Sequence, residues 1–146
     1  MKRLSHIICM ILIFAMVLST TAFAAEAIDP RASNFFMGSS VYFWHVSGNQ
    51  YQIWFEVTAV DTMSELGTSQ ITVERSTDLV NWSPVKTYYK SSYPQMTTKV
   101  GTVGYTNYVP YYPADGYAYR AVVELYAKNS TGSAYMTEVT DVLDLR

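Results

Sequence analysis

The chain has 146 residues and a formal net charge of −2, and its charged side chains, 15% of the total, form no basic run. Nucleic-acid binders and proteins held electrostatically on membranes need clustered lysine and arginine, so this composition argues against both classes. The length corresponds to one domain.

The first 24 residues are predicted to be a secretory signal peptide. Lys2 and Arg3 give a positive start, residues 7–18 form an uninterrupted apolar run, and small residues lead up to Ala24. This is the three-part pattern of an export signal, and the run is shorter than the roughly 20 residues of a membrane-spanning helix. We therefore expect cleavage after Ala24, or a few residues later, and a protein secreted to the extracellular medium.

Removal of residues 1–24 would change the chemistry of the chain. It takes away Cys9, so no thiol would remain for a disulfide, a nucleophile or a metal site. It also removes two of the ten basic side chains and moves the net charge to −4. Residues 25–34 are predicted to be a flexible leader and residues 35–146 a single domain, with no membrane association once the signal is cleaved.

Apolar and polar residues alternate with a period close to two from Phe35 onward, which is typical of half-buried strands. The clearest run is 51–60. Its predicted core face consists of Tyr51, Ile53, Phe55, Val57 and Ala59, and its solvent face includes Gln52, Glu56 and Thr58. A middle strand with Ile71 and Val73 inward, and a late strand with Tyr117, Tyr119, Ala121, Val123 and Leu125 inward, repeat the pattern.

Two turn signals predict hairpins. Ser47-Gly48-Asn49 joins a strand at 41–46 to the run at 51–60, and Asn129-Ser130-Thr131-Gly132 joins the late strand to a last one at 134–142. With the remaining segments this makes about seven strands. The sequence therefore predicts an all-β, antiparallel two-sheet sandwich.

The intervening segments are predicted as follows. Residues 61–67 form a single helical turn ended by glycine, and residues 77–81 form a turn in which Asp78 accepts backbone N–H groups. A strand covers 82–90. A strand interrupted by glycine covers 98–106 and lies at a sheet edge.

The last two predicted strands resemble the final hairpin of fibronectin type III and related immunoglobulin-like sandwiches. The resemblance is carried by residues 114–123 followed by the turn at 129–132. In such folds a tyrosine near the start of the penultimate strand hydrogen-bonds back to the preceding loop, and Tyr117 is the expected corner residue. The resemblance implies architecture and carries no function.

Nearly the whole chain after the signal is similar to a family of small exported proteins of Gram-positive bacteria, a domain of unknown function. The segments that carry this resemblance are 31–33, 53–59, 62–67, 76–82 and 85–88. The resemblance implies export, a single domain and bacterial origin, and it leaves the function open.

Catalytic chemistry has few candidates. His45 would be the one histidine left after signal removal, so any serine triad would use it. A glycoside hydrolase would need two carboxylates across a cleft, and Glu56, Asp61, Glu65, Glu74 and Asp78 are available. Because alternation places Glu56 and Glu74 on solvent faces, we interpret the chain as a non-enzyme without metal or cofactor, and a small secreted hydrolase stays as an alternative.

Tyrosine is the unusual feature, with all 13 residues after the signal. The segment 108–113 contains two prolines and lacks alternation, so it is predicted to be a loop or irregular edge that presents rings outside the core. The candidate binding residues are Tyr108, Tyr111, Tyr112, Tyr93 and Tyr89. The competing interpretation is that these tyrosines are ordinary half-buried strand residues.

We therefore predict a secreted, non-catalytic binding module of the bacterial cell envelope or the surrounding medium. The first hypothesis is contact with an unknown protein or the cell surface through the tyrosines, and the alternative is a carbohydrate-binding module that binds a cell-surface glycan through the same rings. A flat row of exposed aromatic rings would favour a glycan, and a rounded patch would favour a protein.

Overall fold

The computed structural model describes residues 32–146. The predicted signal peptide and residues 25–31 of the predicted leader lie outside this range. One helical turn, α1 (Ala32–Phe35), precedes nine strands. The strands are β1 (Phe36–Ser47), β2 (Gln50–Met63), β3 (Glu65–Ser76), β4 (Ser83–Tyr89), β5 (Thr97–Thr98), β6 (Thr102–Tyr111), β7 (Ala118–Asn129), β8 (Gly132–Val139) and β9 (Leu143–Asp144).

The strands form two antiparallel sheets, which confirms the predicted all-β sandwich. The three-stranded sheet has the order β1-β2-β6, and the larger sheet has the order β4-β3-β7-β8, with β5 paired to β3 and β9 paired to β7. Seven strands are longer than two residues, as expected from the turn signals. Both predicted hairpins form, with His45 opposite Tyr51 in one and Asn129 opposite Gly132 in the other.

The core lies between the sheets and is built by alternation. Ile53, Phe55 and Val57 of β2 are fully buried, and so are Ile71 of β3 and Val123 of β7. Each such side chain stabilises the fold by roughly 1.5–3 kcal/mol relative to exposure. The core faces predicted from the period of two are confirmed for these strands.

The corner tyrosine is Tyr119, and the prediction of Tyr117 is wrong. The Tyr119 hydroxyl donates to the Ala114 carbonyl at 2.9 Å and accepts from the Ala114 N–H at 3.1 Å. Tyr117 stands just before β7 and carries the Arg75 guanidinium 4.5 Å from its ring centroid. Tyr117 lies before the start of β7 at Ala118, whereas Tyr119 is within the strand, on its buried face.

The predicted helical turn at 61–67 is wrong, because β2 continues to Met63 and β3 begins at Glu65. Gly67 lies inside β3 with φ +149°, opposite Thr97 of β5. A Cβ there would overlap the Met96 carbonyl oxygen and come within 2.8 Å of the Thr97 Cα. The glycine is therefore required by the close approach of β5, and it does not end a helix.

Strand boundaries differ from the prediction, and β1 and β2 both extend beyond the predicted 41–46 and 51–60. The strand predicted at 82–90 is Ser83–Tyr89, and the last long strand is Gly132–Val139, followed by the separate short β9. The edge strand predicted at 98–106 is Thr102–Tyr111, although its edge position in the three-stranded sheet is confirmed. Within residues 32–146, no helix is long and apolar enough to span a membrane.

Candidate functional site

The segment 108–113, predicted as a loop, is mostly the end of β6. Pairing with β2 continues residue by residue from Tyr105 opposite Val57 to Tyr111 opposite Tyr51. An edge strand tolerates proline, so Pro110 does not break the ladder. Strand alternation then separates the predicted binding tyrosines, with Tyr108 on the outer face and Tyr111 on the inner face.

Tyr111 is a core residue, and the prediction that its ring lies outside the core is wrong. It is 9% exposed, and its ring centroid is 5.6 Å from that of Tyr119 and 6.3 Å from that of Phe43. Burial, together with the hydroxyl groups of Tyr119 and Tyr88, raises the pKa of Tyr111 well above its usual value. Its substitution would therefore test the fold before it tested binding.

Tyr93 and Tyr112 line an open groove of about 340 Å³ between β4 and β6. The groove also contains Tyr88, whose hydroxyl donates to the Pro110 carbonyl at 2.6 Å and whose ring meets that of Tyr93 edge-on at 5.0 Å. Desolvation, followed by the nearby Tyr93 and Tyr112 hydroxyls, raises the pKa of Tyr88 to about 12. The groove thus brings together three predicted residues, Tyr93, Tyr111 and Tyr112, and among the described residues Lys86 is the cation that lines it.

Tyr89 lies apart from the other predicted residues. It follows the buried Tyr88 on β4, so its exposed ring is on the opposite side of that strand. It does not line the groove. The five predicted tyrosines therefore do not form one site. They lie in three places: the groove, the exposed side of β4 at Tyr89, and the outer face of β6 at Tyr108.

Tyr108 belongs to a row of three aromatic rings across the outer face of the three-stranded sheet. Tyr42 of β1 is opposite Trp54 of β2, and Trp54 is opposite Tyr108 of β6. The ring centroids of Tyr42 and Trp54 are 6.5 Å apart with planes within 3° of parallel, and those of Trp54 and Tyr108 are 5.0 Å apart with planes tilted by 35°. We call Tyr42, Trp54 and Tyr108 the aromatic row.

The aromatic row is accessible and continues along β1. Tyr42 and Tyr108 are 38% and 37% exposed, and Trp44, two residues after Tyr42 on the same face, is 58% exposed. Trp44 pairs with Gln52, and the Gln52 side-chain carbonyl accepts a hydrogen bond from the Trp54 indole at 2.9 Å. This bond restrains the orientation of the Trp54 ring.

A second row of side chains runs parallel to the aromatic row, two residues further along each strand. Ser40 of β1 is opposite Glu56 of β2, and Glu56 is opposite Thr106 of β6. All three are exposed. We call Ser40, Glu56 and Thr106 the polar row; it offers two hydroxyls and one carboxylate beside the rings.

The outer face of the larger sheet is different. There Arg120 bonds Glu74 at 2.7 Å and packs over the Trp82 ring at 4.5 Å, and Ser69 donates to the Glu124 carboxylate. These partners satisfy one another, as is usual for a solvent-facing sheet surface. That face also carries the paired rings of Tyr126 and Tyr135, 5.1 Å apart, with the Lys90 ammonium over Tyr126. The outer face of the three-stranded sheet differs in carrying a row of three paired rings, and exposed apolar patches mark binding surfaces.

The candidate catalytic residues are dispersed. His45 Nε2 lies 2.9 Å from the Gly48 carbonyl oxygen in the hairpin turn. Glu65 pairs with Lys90 at 3.1 Å. Hydrogen bonds from the backbone and side chain of Asn81, and from Val80, hold the pKa of Asp78 well below its usual range. Among the described residues, no three His, Cys, Asp or Glu side chains are grouped so that they could hold a metal ion.

Sequence reasoning missed Tyr42, Trp44 and Trp54, although the signal was present. Tyr42 and Trp44 are spaced by two, which puts both on one face of a strand. Trp54 lies between the core residues Ile53 and Phe55, so alternation alone places it outward. Two facts could be learned only from the tertiary structure. One is the pairing of β6 with β2, and the other is the face of β6 that carries Tyr108.

Comparison of the chain with protein-family models, with curated proteins and with solved structures found no match.

Proposed function

We propose that this chain is an exported, non-catalytic binding module that recognises carbohydrate through the outer face of its three-stranded sheet. The observation that carries the proposal is the aromatic row with the polar row beside it. The faces of aromatic rings carry negative charge density. The C–H groups on a sugar ring face are weakly positive, so rings and sugars pack face to face while hydroxyl groups reach adjacent polar side chains.

The shape of the surface favours a glycan over a protein partner. The rings come from one register position on three adjacent strands, whereas protein hot spots lie in packed, fully desolvated pockets. The dispersed positions of His45 and the carboxylates argue against the hydrolase alternative. Export itself stays a prediction from the N-terminal sequence.

The test is co-sedimentation of the purified protein with isolated bacterial cell walls and with insoluble cellulose, chitin, mannan and β-1,3-glucan. We expect at least one of these to retain the protein. Trp54→Ala should weaken that binding by about tenfold or more, equivalent to about 1.4 kcal/mol. Tyr135→Ala, which removes an exposed ring from the larger sheet, is the matched control and should bind like the unmodified chain.

Fluorescence gives an independent measurement. The chain has three tryptophans, and Trp44 and Trp54 are on the proposed face. In a Trp82→Phe variant the tryptophan emission therefore reports that face alone, and a soluble oligosaccharide of the retained polymer should change it. Retention that is unaffected by Trp54→Ala, in a variant with an unchanged thermal unfolding midpoint, would contradict the proposal.

A further inference from the structure

We infer that the outer face binds a polysaccharide chain without anionic groups running across the three strands, with its sugar rings on the aromatic row and its hydroxyl groups beside the polar row. The inference rests on the proposed function. It adds two properties of the ligand, its charge and its direction on the sheet.

The direction follows from the register. A chain crossing the strands meets three aromatic rings, one each from β1, β2 and β6, because Tyr42, Trp54 and Tyr108 are directly paired. A chain running along a single strand would meet two rings at most, Tyr42 and Trp44 of β1. Stacking area is therefore greatest for the crossing path.

The polar row lies along the same path. Each strand supplies one polar side chain two residues from its aromatic one, so a crossing chain has Ser40, Glu56 and Thr106 along one flank. Hydroxyls donate and accept, and a carboxylate accepts two hydrogen bonds, which suits neighbouring sugar hydroxyls. Within the part of the chain that the structure covers, no protein group bonds these three side chains.

Beyond the polar row, the outer face carries glycines on β1 and β6 instead of larger side chains. Gly38 and Gly104 occupy the next register on β1 and β6, on either side of Thr58. A Cβ at Gly38 would meet no atom within 4 Å. This register lies outside the crossing path, so an added side chain there separates a crossing ligand from one that runs along the strand.

The charge of the ligand follows from Glu56. It is the charged member of the six side chains in the two rows, which include no lysine or arginine. A uronate, sulfate or phosphate group on the ligand would approach Glu56 within the Debye length of about 8 Å, without a compensating cation in either row. Polysaccharides without anionic groups avoid this repulsion.

The charge is tested with the intact protein and polysaccharides of matched backbone. Affinity is measured for hydroxyethyl-cellulose against carboxymethyl-cellulose, and for glycol-chitin against carboxymethyl-chitin, at low and physiological salt. For a backbone that binds, the affinity for the carboxymethyl form should be about tenfold weaker than for the other form. Glu56→Gln should reduce this difference in affinity. Equal affinity for the two forms overturns the inferred charge.

The direction is tested by side chains added or removed on the face. Ser40→Ala and Thr106→Val should each weaken binding by about fivefold, whereas Thr58→Phe, an obstacle further along β2, should change it by less than about twofold. Loss of binding in Thr58→Phe indicates a path along the strand and overturns the crossing path.

Failure of the inference and failure of the proposed function give different results. Binding that depends on Trp54 but not on Ser40 or Thr106 overturns the inference and leaves the proposed function standing. Absence of binding to every polysaccharide and to cell walls overturns both.

Discussion

Tyr119 shows how one residue fixes a corner of the sandwich. Its ring lies in the core between Tyr111 and Tyr117, with centroids 5.6 Å and 6.3 Å away. Its hydroxyl bonds both backbone groups of Ala114 in the loop before β7. The loop that follows β6, and with it the end of the strand carrying Tyr108, is thereby tied to the core.

Tyr119→Phe should lower the free energy of unfolding by about 1–3 kcal/mol, because two hydrogen bonds to Ala114 are lost while the ring remains. Urea denaturation measures the change. Tyr117→Phe is the control, since the Tyr117 ring can keep its contact with Arg75, and its stability should stay within about 0.5 kcal/mol of the unmodified chain. An equal loss in both variants would contradict the assignment of the corner.

The elements of the three-stranded sheet decide which side chains meet on its outer face. Strand period fixes the face of each residue, so Tyr42, Trp54 and Tyr108 point outward as a consequence of Phe43, Phe55 and Val109 pointing inward. In the larger sheet, β3 depends on Gly67 to admit β5. The outward positions of the aromatic residues and the need for glycine at position 67 both follow from strand alternation and register.

Gly67→Ala should destabilise the protein by about 2–4 kcal/mol, because the left-handed φ strains an alanine and its Cβ overlaps the backbone at Met96. Gly38→Ala is the matched control, since its Cβ would meet nothing within 4 Å, and should change stability by less than about 0.5 kcal/mol. Thermal and denaturant unfolding of the two variants give the comparison. Similar values for both would mean that β5 does not approach β3 so closely.

For the molecule as a whole, the tyrosines of the core limit stability at high pH. The pKa of Tyr88 is raised to about 12, chiefly by desolvation, and that of Tyr111 is raised as well. A tyrosine in the unfolded chain ionises near 10. The contribution of these two tyrosines to the free energy of unfolding is therefore fully present below about pH 10, and it is lost as the pH rises toward 12.

We accordingly expect the free energy of unfolding to be nearly constant between pH 7 and 9 and to fall steeply above about pH 10. Tyr88→Phe should be less stable at pH 8, because its bond to the Pro110 carbonyl is lost, but should show a shallower alkaline decline. The exposed Tyr89→Phe should decline like the unmodified chain. A Tyr88→Phe curve parallel to the unmodified one would contradict this account.

The sequence by itself determined the fold class, the inward faces of β2, β3 and β7, and both hairpin turns, because strand period and turn chemistry are local properties of the chain. It also contained the outward positions of Tyr42, Trp44 and Trp54. Tertiary structure decided the rest: where β6 ends, which of Tyr117 and Tyr119 forms the corner, and that Tyr111 is buried. Pairing between strands separated by tens of residues brings Tyr108 beside Trp54, and no local pattern specifies such pairing.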